Sequence, residues 1–269
     1  MMRLADRVAV VTGAAGGIGR AIAASLARRG CHLALADIDE AGLAQTAAMV
    51  ESCGVRTSRH RLDVADRGAV AALPAAVMAG HGRVDLLFNN AGVALGGTFE
   101  QVGEADFDWL FEINFQGVVR MTRAFLPYLR RSDEARLVNV SSVYGLVSPP
   151  GQAAYSASKF AVRGFSNALR HELADSRVGV TVVHPGGIAT SIAKNARTPR
   201  GAPAEEIALG RARAERLLRM LPEKAGEIVV AGVERRKARI LVGADARIVS
   251  LLERIAPVSY WRLLGRGVQ

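Results

Sequence analysis

The sequence predicts one α/β domain built on a doubly wound, parallel β-sheet, and two observations carry this prediction. Short apolar runs rich in β-branched residues alternate along the chain with longer helical patterns. A glycine-rich turn stands between the first apolar run and the first helical pattern. Of the 269 residues, 50% are hydrophobic and only 5% aromatic, so aliphatic side chains must fill most of the core.

The strands are expected in seven short runs, most of them continuously apolar as in strands buried on both faces. One run is more polar than the others, which favours a place at the edge of the sheet. The runs are residues 7–12, 32–37, 57–64 (the polar one), 84–90, 136–142, 179–185 and 238–243.

Helices are expected between these runs, at residues 17–30, 39–52, 66–80, 104–130 and 152–176. Gly30 suits the C-terminal cap of the first helix, and Pro127 should bend or end the last turn of the fourth. Strand–helix–strand alternation implies right-handed crossovers. Because the sequence shows neither a linker nor a repeat, we expect residues 1–269 to form a single domain.

Two regions interrupt the alternation. Residues 190–222 begin polar and rich in Pro and Gly, then become an Arg-rich helical pattern. An insertion near the carboxyl ends of the strands favours a substrate lid, although an ordinary surface excursion has the same pattern. Residues 245–269 form the second region, a C-terminal helical extension with apolar residues at helical spacing.

The formal net charge of +10 invites a nucleic-acid interpretation. The arginines are scattered, however, and no basic stripe is interleaved with aromatic residues, so we expect no nucleic-acid partner. Cys31 and Cys53 are too few for a disulfide scaffold and lack metal-ligand spacing, which favours a cytoplasmic protein without a metal. No charge-free apolar run is long enough to predict a transmembrane span.

The turn "TGAAGGIG" predicts a dinucleotide site because it follows a strand and opens a helix. Gly13 permits the tight turn, and Gly17 lets the backbone approach a diphosphate. Gly19 lets the helix pack close to the sheet, and Ile18 lies between them in the same binding turn. Backbone amides at the helix N-terminus then face the negative charge.

An acidic residue follows the turn at the spacing used for ribose recognition. Asp37 ends the second strand, 18 residues after Gly19, where a carboxylate accepts hydrogen bonds from the adenosine ribose. Because Ile38 follows, no adjacent cation compensates a 2′-phosphate, so NAD(H) is expected in preference to NADP(H). Further along, the adenine side of the cleft should be rimmed by Asp63, Val64, Asn90, Ala91 and Gly92.

The order and spacing of "TGAAGGIG", "NNAG", the serine pair at 141–142 and "YSASK" resemble the short-chain dehydrogenase/reductase family. The resemblance covers roughly residues 6–190. It implies a Rossmann fold and an oxidoreductase that transfers hydride between a nicotinamide dinucleotide and a secondary alcohol or ketone.

The resemblance also implies a catalytic tetrad of Asn114, Ser142, Tyr155 and Lys159. Tyr155 and Lys159 lie four residues apart and so share one helix face. A nearby ammonium group favours the phenolate, which would let Tyr155 act as the general acid and base. Ser142 would then hydrogen-bond the substrate oxygen, Lys159 would hold the nicotinamide ribose, and Asn114 would hold a water that links Lys159 to solvent.

The segment "HPGGIAT" resembles the family's nicotinamide loop. By this resemblance Pro185 and Gly186 shape the loop against the nicotinamide. The Ile188 backbone and the Thr190 hydroxyl would contact its carboxamide.

Other polar residues near these motifs are assigned to the pocket or to the scaffold. Tyr144 and Gln152 are expected in the substrate pocket, which is mainly apolar and favours a hydrophobic alcohol. His171 and His184 are interpreted as structural, since one lies well along a helix and the other precedes a proline at a strand end.

The C-terminal extension departs from the family's pattern, because many members end in a short strand and a glycine-rich tail that builds a tetramer. A homodimer or homotetramer is still expected, but the usual tetramer is in doubt. The extension either packs as a helix on its own subunit or on a dimer partner, or it is an amphipathic segment. Such a segment would rest on a membrane or cover a hydrophobic substrate.

A second class of function stays open beside the enzyme: a non-catalytic dinucleotide-binding redox sensor. The tetrad argues against it, because a protein that only binds a dinucleotide does not need a tyrosine paired with a lysine.

Overall fold

The computed structural model of the protein describes residues 1–199, 201 and 203–264. Its centre is a seven-stranded sheet in the order β3-β2-β1-β4-β5-β6-β7, with every neighbouring pair parallel. The strands are β1 (Val8–Thr12), β2 (His32–Asp37), β3 (Thr57–Arg61), β4 (Leu86–Asn89), β5 (Ala135–Val140), β6 (Val178–Pro185) and β7 (Arg239–Val242). All seven overlap the expected runs, and the predicted fold class is confirmed.

Helices connect the strands and cover the sheet. They are α1 (Gly17–Ala27), α2 (Glu40–Val50), α3 (Arg67–His81), α4 (Glu104–Phe111), α5 (Gly117–Leu129), α6 (Ala153–Glu172), α7 (Ala204–Leu217), α8 (Pro222–Glu234), α9 (Ala244–Ile255) and α10 (Tyr260–Leu264).

The sheet has a buried core on each face, as alternation along a strand requires. Along β1, Ala9 and Val11 belong to the core that contains α1 and α8, whereas Val10 belongs to the core that contains α3 and α5. The polar run at β3 lies at one edge of the sheet, with Arg59 and Arg61 exposed. The expected edge position is therefore confirmed.

The strand order reverses between β1 and β4, and this reversal positions the site. β2 and β3 extend the sheet to one side of β1, and β4 returns to pair with its other side. At such a switch point the loops after the two strands diverge and leave a crevice beyond their carboxyl ends.

A buried ionic cluster fixes the opposite end of β1 and β4. The Asp85 carboxylate is fully buried and accepts hydrogen bonds from the Val8 amide at 2.9 Å and the Ser132 hydroxyl at 2.6 Å. Arg7 and Arg83 both pair with it. Since several donors converge on one carboxylate, the loss of Asp85 would leave buried charge unpaired.

The helix expected over residues 104–130 is interrupted. A five-residue π-helical segment, Glu112–Gln116, separates α4 from α5. Pro127 lies in the last turn of α5, which ends at Leu129, as the sequence indicates. The interruption was not expected, and it carries Asn114.

Both irregular regions contain helices, and each contacts the loop after β6. Residues 190–222 contain a loop and α7, and residues 245–269 contain most of α9 and α10; Arg200, Ala202 and residues 265–269 of these regions lie outside the described residues. Across the part that is described, no helix has the length and apolar character needed to cross a membrane.

Candidate active site

The turn between β1 and α1 is shaped by glycine at two positions. Gly13 has a φ of +66°, in the left-handed region that favours glycine. A Cβ at Gly19 would come within 2.0 Å of the Gly13 carbonyl oxygen, so any side chain there would push the helix away from the turn. Gly16 occupies the N-cap of α1 and offers no side chain to compete for the first amides of the helix.

The "NNAG" segment after β4 is tied to this turn by Thr12. The Thr12 hydroxyl accepts hydrogen bonds from the amides of Asn90 and Ala91, each at 3.0 Å. In return, the Asn90 side-chain amide donates to the carbonyls of Thr12 and Gly13. Thr12 thus joins the two loops of the crevice, a role that no sequence pattern indicated.

Asp37 lies at the end of β2 against the same turn. Its carboxylate accepts the Ala15 amide at 2.9 Å and the Asp39 amide at 3.1 Å. The side chain of Ile38 is 57% exposed. A carboxylate thus stands beside the glycine turn with an apolar neighbour.

The residues after β3 lie next to Asp37, because the Leu62 amide donates to the Asp37 carbonyl at 2.8 Å. Asp63 is exposed and accepts the Ala65 amide. Val64 is buried and packs against Gly117, where an added Cβ would lie 2.8 Å from the Val64 side chain. Asp63 and Val64 therefore lie beside Asp37, with Val64 offering only a small surface.

Tyr155 and Lys159 lie on the first turns of α6, facing the end of β5. The Lys159 ammonium group lies 5.7 Å from the centre of the Tyr155 ring and donates to the Val140 carbonyl at 3.3 Å. Ser142, two residues beyond β5, accepts the Tyr144 amide at 3.1 Å. The Tyr144 and Tyr155 rings meet edge to face at 6.1 Å.

Burial shifts both titrating groups of this pair. It raises the pKa of Tyr155 to about 12, while the Ser142 side chain acts in the opposite direction. It lowers the pKa of Lys159 to about 8. Around neutral pH the tyrosine is therefore a proton donor and the lysine is close to its own titration.

Asn114 is held beside Lys159 by the π-helical segment. Its side chain bonds the Val93 backbone in both directions, accepting the amide at 2.8 Å and donating to the carbonyl at 3.0 Å. A Cβ on Gly92 would lie 3.1 Å from the side-chain oxygen of Asn114 and 3.3 Å from the side-chain nitrogen of Lys159. These three residues therefore form one cluster, and Gly92 leaves it room.

Two neighbouring polar residues contact the backbone carbonyls of this cluster. The Ser141 hydroxyl donates to the Lys159 carbonyl at 2.8 Å, away from Tyr155. His184 is fully buried with its Nδ1 2.9 Å from the Ser142 carbonyl, and burial lowers its pKa to about 4. This arrangement agrees with the structural role expected of His184.

The loop after β6 reaches across to the glycine turn. A Cβ on Gly17 would lie 3.0 Å from the methyl group of Thr190. The Gly186 amide donates to Val242 of β7 at 2.9 Å, and Ile188 is buried. Pro185 ends β6, so the expected nicotinamide loop lies beside the expected diphosphate turn.

The C-terminal extension packs on its own subunit, one of the expected alternatives, and contacts this loop and the loop between Ser142 and Tyr155. The Asp245 carboxylate accepts the Gly187 amide at 2.6 Å. The Tyr260 hydroxyl accepts the Ser148 amide at 3.0 Å, in the loop between Ser142 and Tyr155. The same loop ends at Gln152, which precedes α6.

The residues present fit a dinucleotide. The turn presents helix N-terminal amides, and a Cβ added at Gly16 meets no described atom within 4 Å, which leaves an open approach for a diphosphate. Asp37 provides acceptors beside this approach. Among the described residues, no group of His, Cys, Asp or Glu side chains has the arrangement of a metal site.

Known proteins share this architecture. A family model described as short chain dehydrogenase matches residues 7–201. A putative oxidoreductase, SadH, from Mycobacterium tuberculosis is 44% identical over 270 residues, covering 100% of this chain and 97% of that protein.

Solved structures agree with the sequence match. A short-chain dehydrogenase/reductase from Burkholderia phymatum in complex with NAD has a TM-score of 0.88 and 31% identity, covering 95% of both chains. An alcohol dehydrogenase from Thermococcus sibiricus complexed with 5-hydroxy-NADP has a TM-score of 0.75 and 28% identity, covering 88% of this chain and 95% of that one. By sequence, by fold and by the residues gathered at its crevice, the chain is an oxidoreductase of the short-chain dehydrogenase/reductase family.

Proposed function

We propose that the protein transfers a hydride between NAD(H) and a hydrophobic secondary alcohol or ketone. The observation that carries this proposal is the cluster of Ser142, Tyr155, Lys159 and Asn114 beside the glycine turn. A protein that only binds a dinucleotide has no use for a buried tyrosine backed by an ammonium group. The similarity to a protein named as an alcohol dehydrogenase supports the substrate class.

Tyr155 is the proton carrier in this proposal. Its phenol donates a proton to the carbonyl oxygen during reduction, and its phenolate accepts the hydroxyl proton during oxidation. Ser142 hydrogen-bonds the same oxygen and stabilises the charge that develops there. The dinucleotide, when bound, supplies or accepts the hydride. Because burial keeps the phenol protonated, oxidation should become faster as the pH rises.

Lys159 and Asn114 support the proton carrier. The ammonium charge of Lys159 favours the phenolate of Tyr155, and the same group would hold the nicotinamide ribose. Asn114, fixed on Val93 and next to Lys159, would hold the water that connects the lysine to solvent.

The preference for NAD(H) is proposed from Asp37. Its carboxylate stands beside the diphosphate turn, and a 2′-phosphate there would meet like charge. Ile38 offers no compensating cation. Asp63, Val64 and Asn90 complete the adenine side of the site, with Ala91 at the crevice. Pro185, Gly186, Ile188 and Thr190 would form the nicotinamide side.

The substrate is proposed to enter between Tyr144, Gln152 and residues 190–222. The first part of this segment packs over the loop after β4, where the Arg197 amide donates to Ala94 at 3.0 Å. Its guanidinium group stacks 3.6 Å above the Trp109 ring. This cover supports a lid within the single domain of residues 1–269.

The proposal extends to assembly and location. Both cysteines are free thiols, Cys31 fully buried, which supports a reducing, cytoplasmic setting. A homodimer or homotetramer stays our proposal for the oligomeric state.

The proposed reaction is tested by NADH formation across a panel of secondary alcohols that increase in apolar size. We expect turnover that rises with pH and falls at least a thousandfold in Tyr155→Phe, since general acid–base catalysis and the oxygen contact are lost together. Tyr128→Phe, in the last turn of α5, is the matched control. Turnover retained in Tyr155→Phe refutes the mechanism, whereas dinucleotide binding without turnover on any alcohol or ketone favours the sensor.

The cofactor preference is tested by titrating NADH and NADPH against the wild type and Asp37→Ala. We expect the wild type to bind NADH more tightly, and the variant to lose NADH affinity about tenfold while its NADPH affinity rises. A wild type that binds NADPH more tightly would overturn the assignment of Asp37.

A further inference from the structure

The outer face of α9 has the opposite polarity to that of an ordinary surface helix. Its inward residues are small: Ala246 and Ser250 are buried, and the Ser250 hydroxyl accepts a hydrogen bond from Arg239 at 3.1 Å. Its large apolar residues point outward. Ile248 and Leu251 are each 58% exposed and Ile255 is 71% exposed. A soluble monomer normally turns such residues toward its core.

These outward residues form one stripe. At about 100° per residue, Ile248, Leu251 and Ile255 fall within about 60° of each other, on the side opposite Ala246 and Ser250. Val258, just beyond the helix, is 95% exposed and extends the apolar surface. We call this surface, made of Ile248, Leu251, Ile255 and Val258, the α9 stripe.

Arginines flank the stripe. Arg247 and Arg254 are exposed, seven residues apart, and therefore lie along one border of it. Arg262 on α10 is also exposed. The acidic residues of α9 are engaged elsewhere: Asp245 holds the Gly187 amide, and Glu253 lies toward the inner side of the helix, near Arg239.

We propose that the α9 stripe docks on an anionic lipid surface. The apolar side chains enter the headgroup boundary while the arginine stems lie along it and their charges meet lipid phosphates. The formal net charge of +10 adds a long-range attraction to such a surface. In an antiparallel, two-fold pairing of α9 with a second copy, Arg247 of one copy would meet Arg254 of the other, so charge complementarity favours the lipid.

Docking would place the substrate entrance at the lipid. Asp245 ties the start of α9 to the loop after β6, and Tyr260 ties α10 to Ser148 in the substrate loop. A lipid-bound α9 therefore holds both loops next to a reservoir of apolar alcohols. This consequence rests on the proposed function, whereas lipid binding itself does not.

The test is sedimentation with vesicles, which needs no activity. The probes are phosphatidylcholine vesicles alone and with about one-third phosphatidylglycerol. We expect binding to the anionic vesicles that weakens in about 1 M salt, where the screening length is about 3 Å. Leu251→Ser should weaken binding about tenfold, and Arg247→Gln/Arg254→Gln about 25-fold, at about fivefold for each arginine.

Matched variants near the opposite edge of the sheet distinguish binding through the α9 stripe from binding through the net charge alone. Met49→Ser removes an apolar side chain that is 52% exposed on α2. Arg59→Gln/Arg61→Gln removes two exposed charges from β3, the edge strand opposite β7. Both should bind vesicles as the wild type does.

Three results overturn the proposal. The first is a wild type that does not sediment with anionic vesicles. The second is an equal loss of binding in the β3 arginine variant, because net charge alone would then explain it. The third is a fall in the molar mass measured by light scattering in Leu251→Ser, which would make the stripe an interface between copies of this chain.

Discussion

Replacing Lys159 by methionine tests whether its charge activates Tyr155. The ammonium nitrogen lies 5.7 Å from the centre of the Tyr155 ring. With an effective dielectric constant of about 20, unit charges at that distance interact by about 3 kcal/mol. Loss of this energy disfavours the phenolate and should slow alcohol oxidation about 100-fold below pH 8.

The pH dependence distinguishes this electrostatic effect from a structural one. Burial lowers the pKa of Lys159 to about 8, so the wild type itself loses the charge as the pH rises through that value. The difference between wild type and Lys159→Met should therefore be largest below pH 8 and narrow above it.

The assay is kcat/KM for alcohol oxidation across the pH range, at dinucleotide concentrations that saturate each variant. Lys224→Met, at an exposed position on α8, is the control. A loss that is uniform at all pH values would refute the electrostatic reasoning, because a damaged scaffold or lost ribose contact does not depend on the titration of Lys159.

Three further predictions concern the scaffold of the site. Gly19→Ala places a Cβ 2.0 Å from the Gly13 carbonyl oxygen; calorimetric titration should show at least a tenfold loss of dinucleotide affinity, and unchanged affinity would contradict the close approach. Asp245→Ala removes the acceptor of the Gly187 amide; the KM for the dinucleotide should rise about tenfold with kcat nearly unchanged, whereas an equal fall in kcat would argue against a role limited to the loop. Asp85→Asn should lower the free energy of unfolding by about 3 kcal/mol in guanidinium titrations, and a change below about 1 kcal/mol would show that the buried cluster rearranges.

The sheet could be predicted from the sequence because burial on both faces leaves a direct mark on composition. Strands such as β1 and β4 are buried at every position, and apolar residues fill all but the last position of each. The edge strand β3 alternates charged and partly buried residues, and that difference was enough to place it.

The site could be predicted where its chemistry follows from short-range spacing. Tyr155 and Lys159 are one helical turn apart, and Gly13 and Gly19 belong to one turn. Such pairs need only the correct local element, which the alternation of strands and helices supplies.

Contacts between distant parts of the chain left no comparable mark. Asp245 meets Gly187 across 58 residues, and Tyr260 meets Ser148 across 112. Neither pair has a spacing pattern, because tertiary packing alone brings the two partners together. These two contacts of the C-terminal extension therefore emerged only from the structure.

The π-helical segment was not foreseen from the sequence, since helical segments stand on both sides of it. In regular helix each residue turns by about 100°, so removing one residue from Glu112–Gln116 would rotate Asn114 relative to one of its flanking helices. The shortened helix would gain regular hydrogen bonds and lose the placement of Asn114 beside Lys159 and Gly92. At this point in the chain, folding stability and the catalytic role proposed for Asn114 therefore favour different numbers of residues.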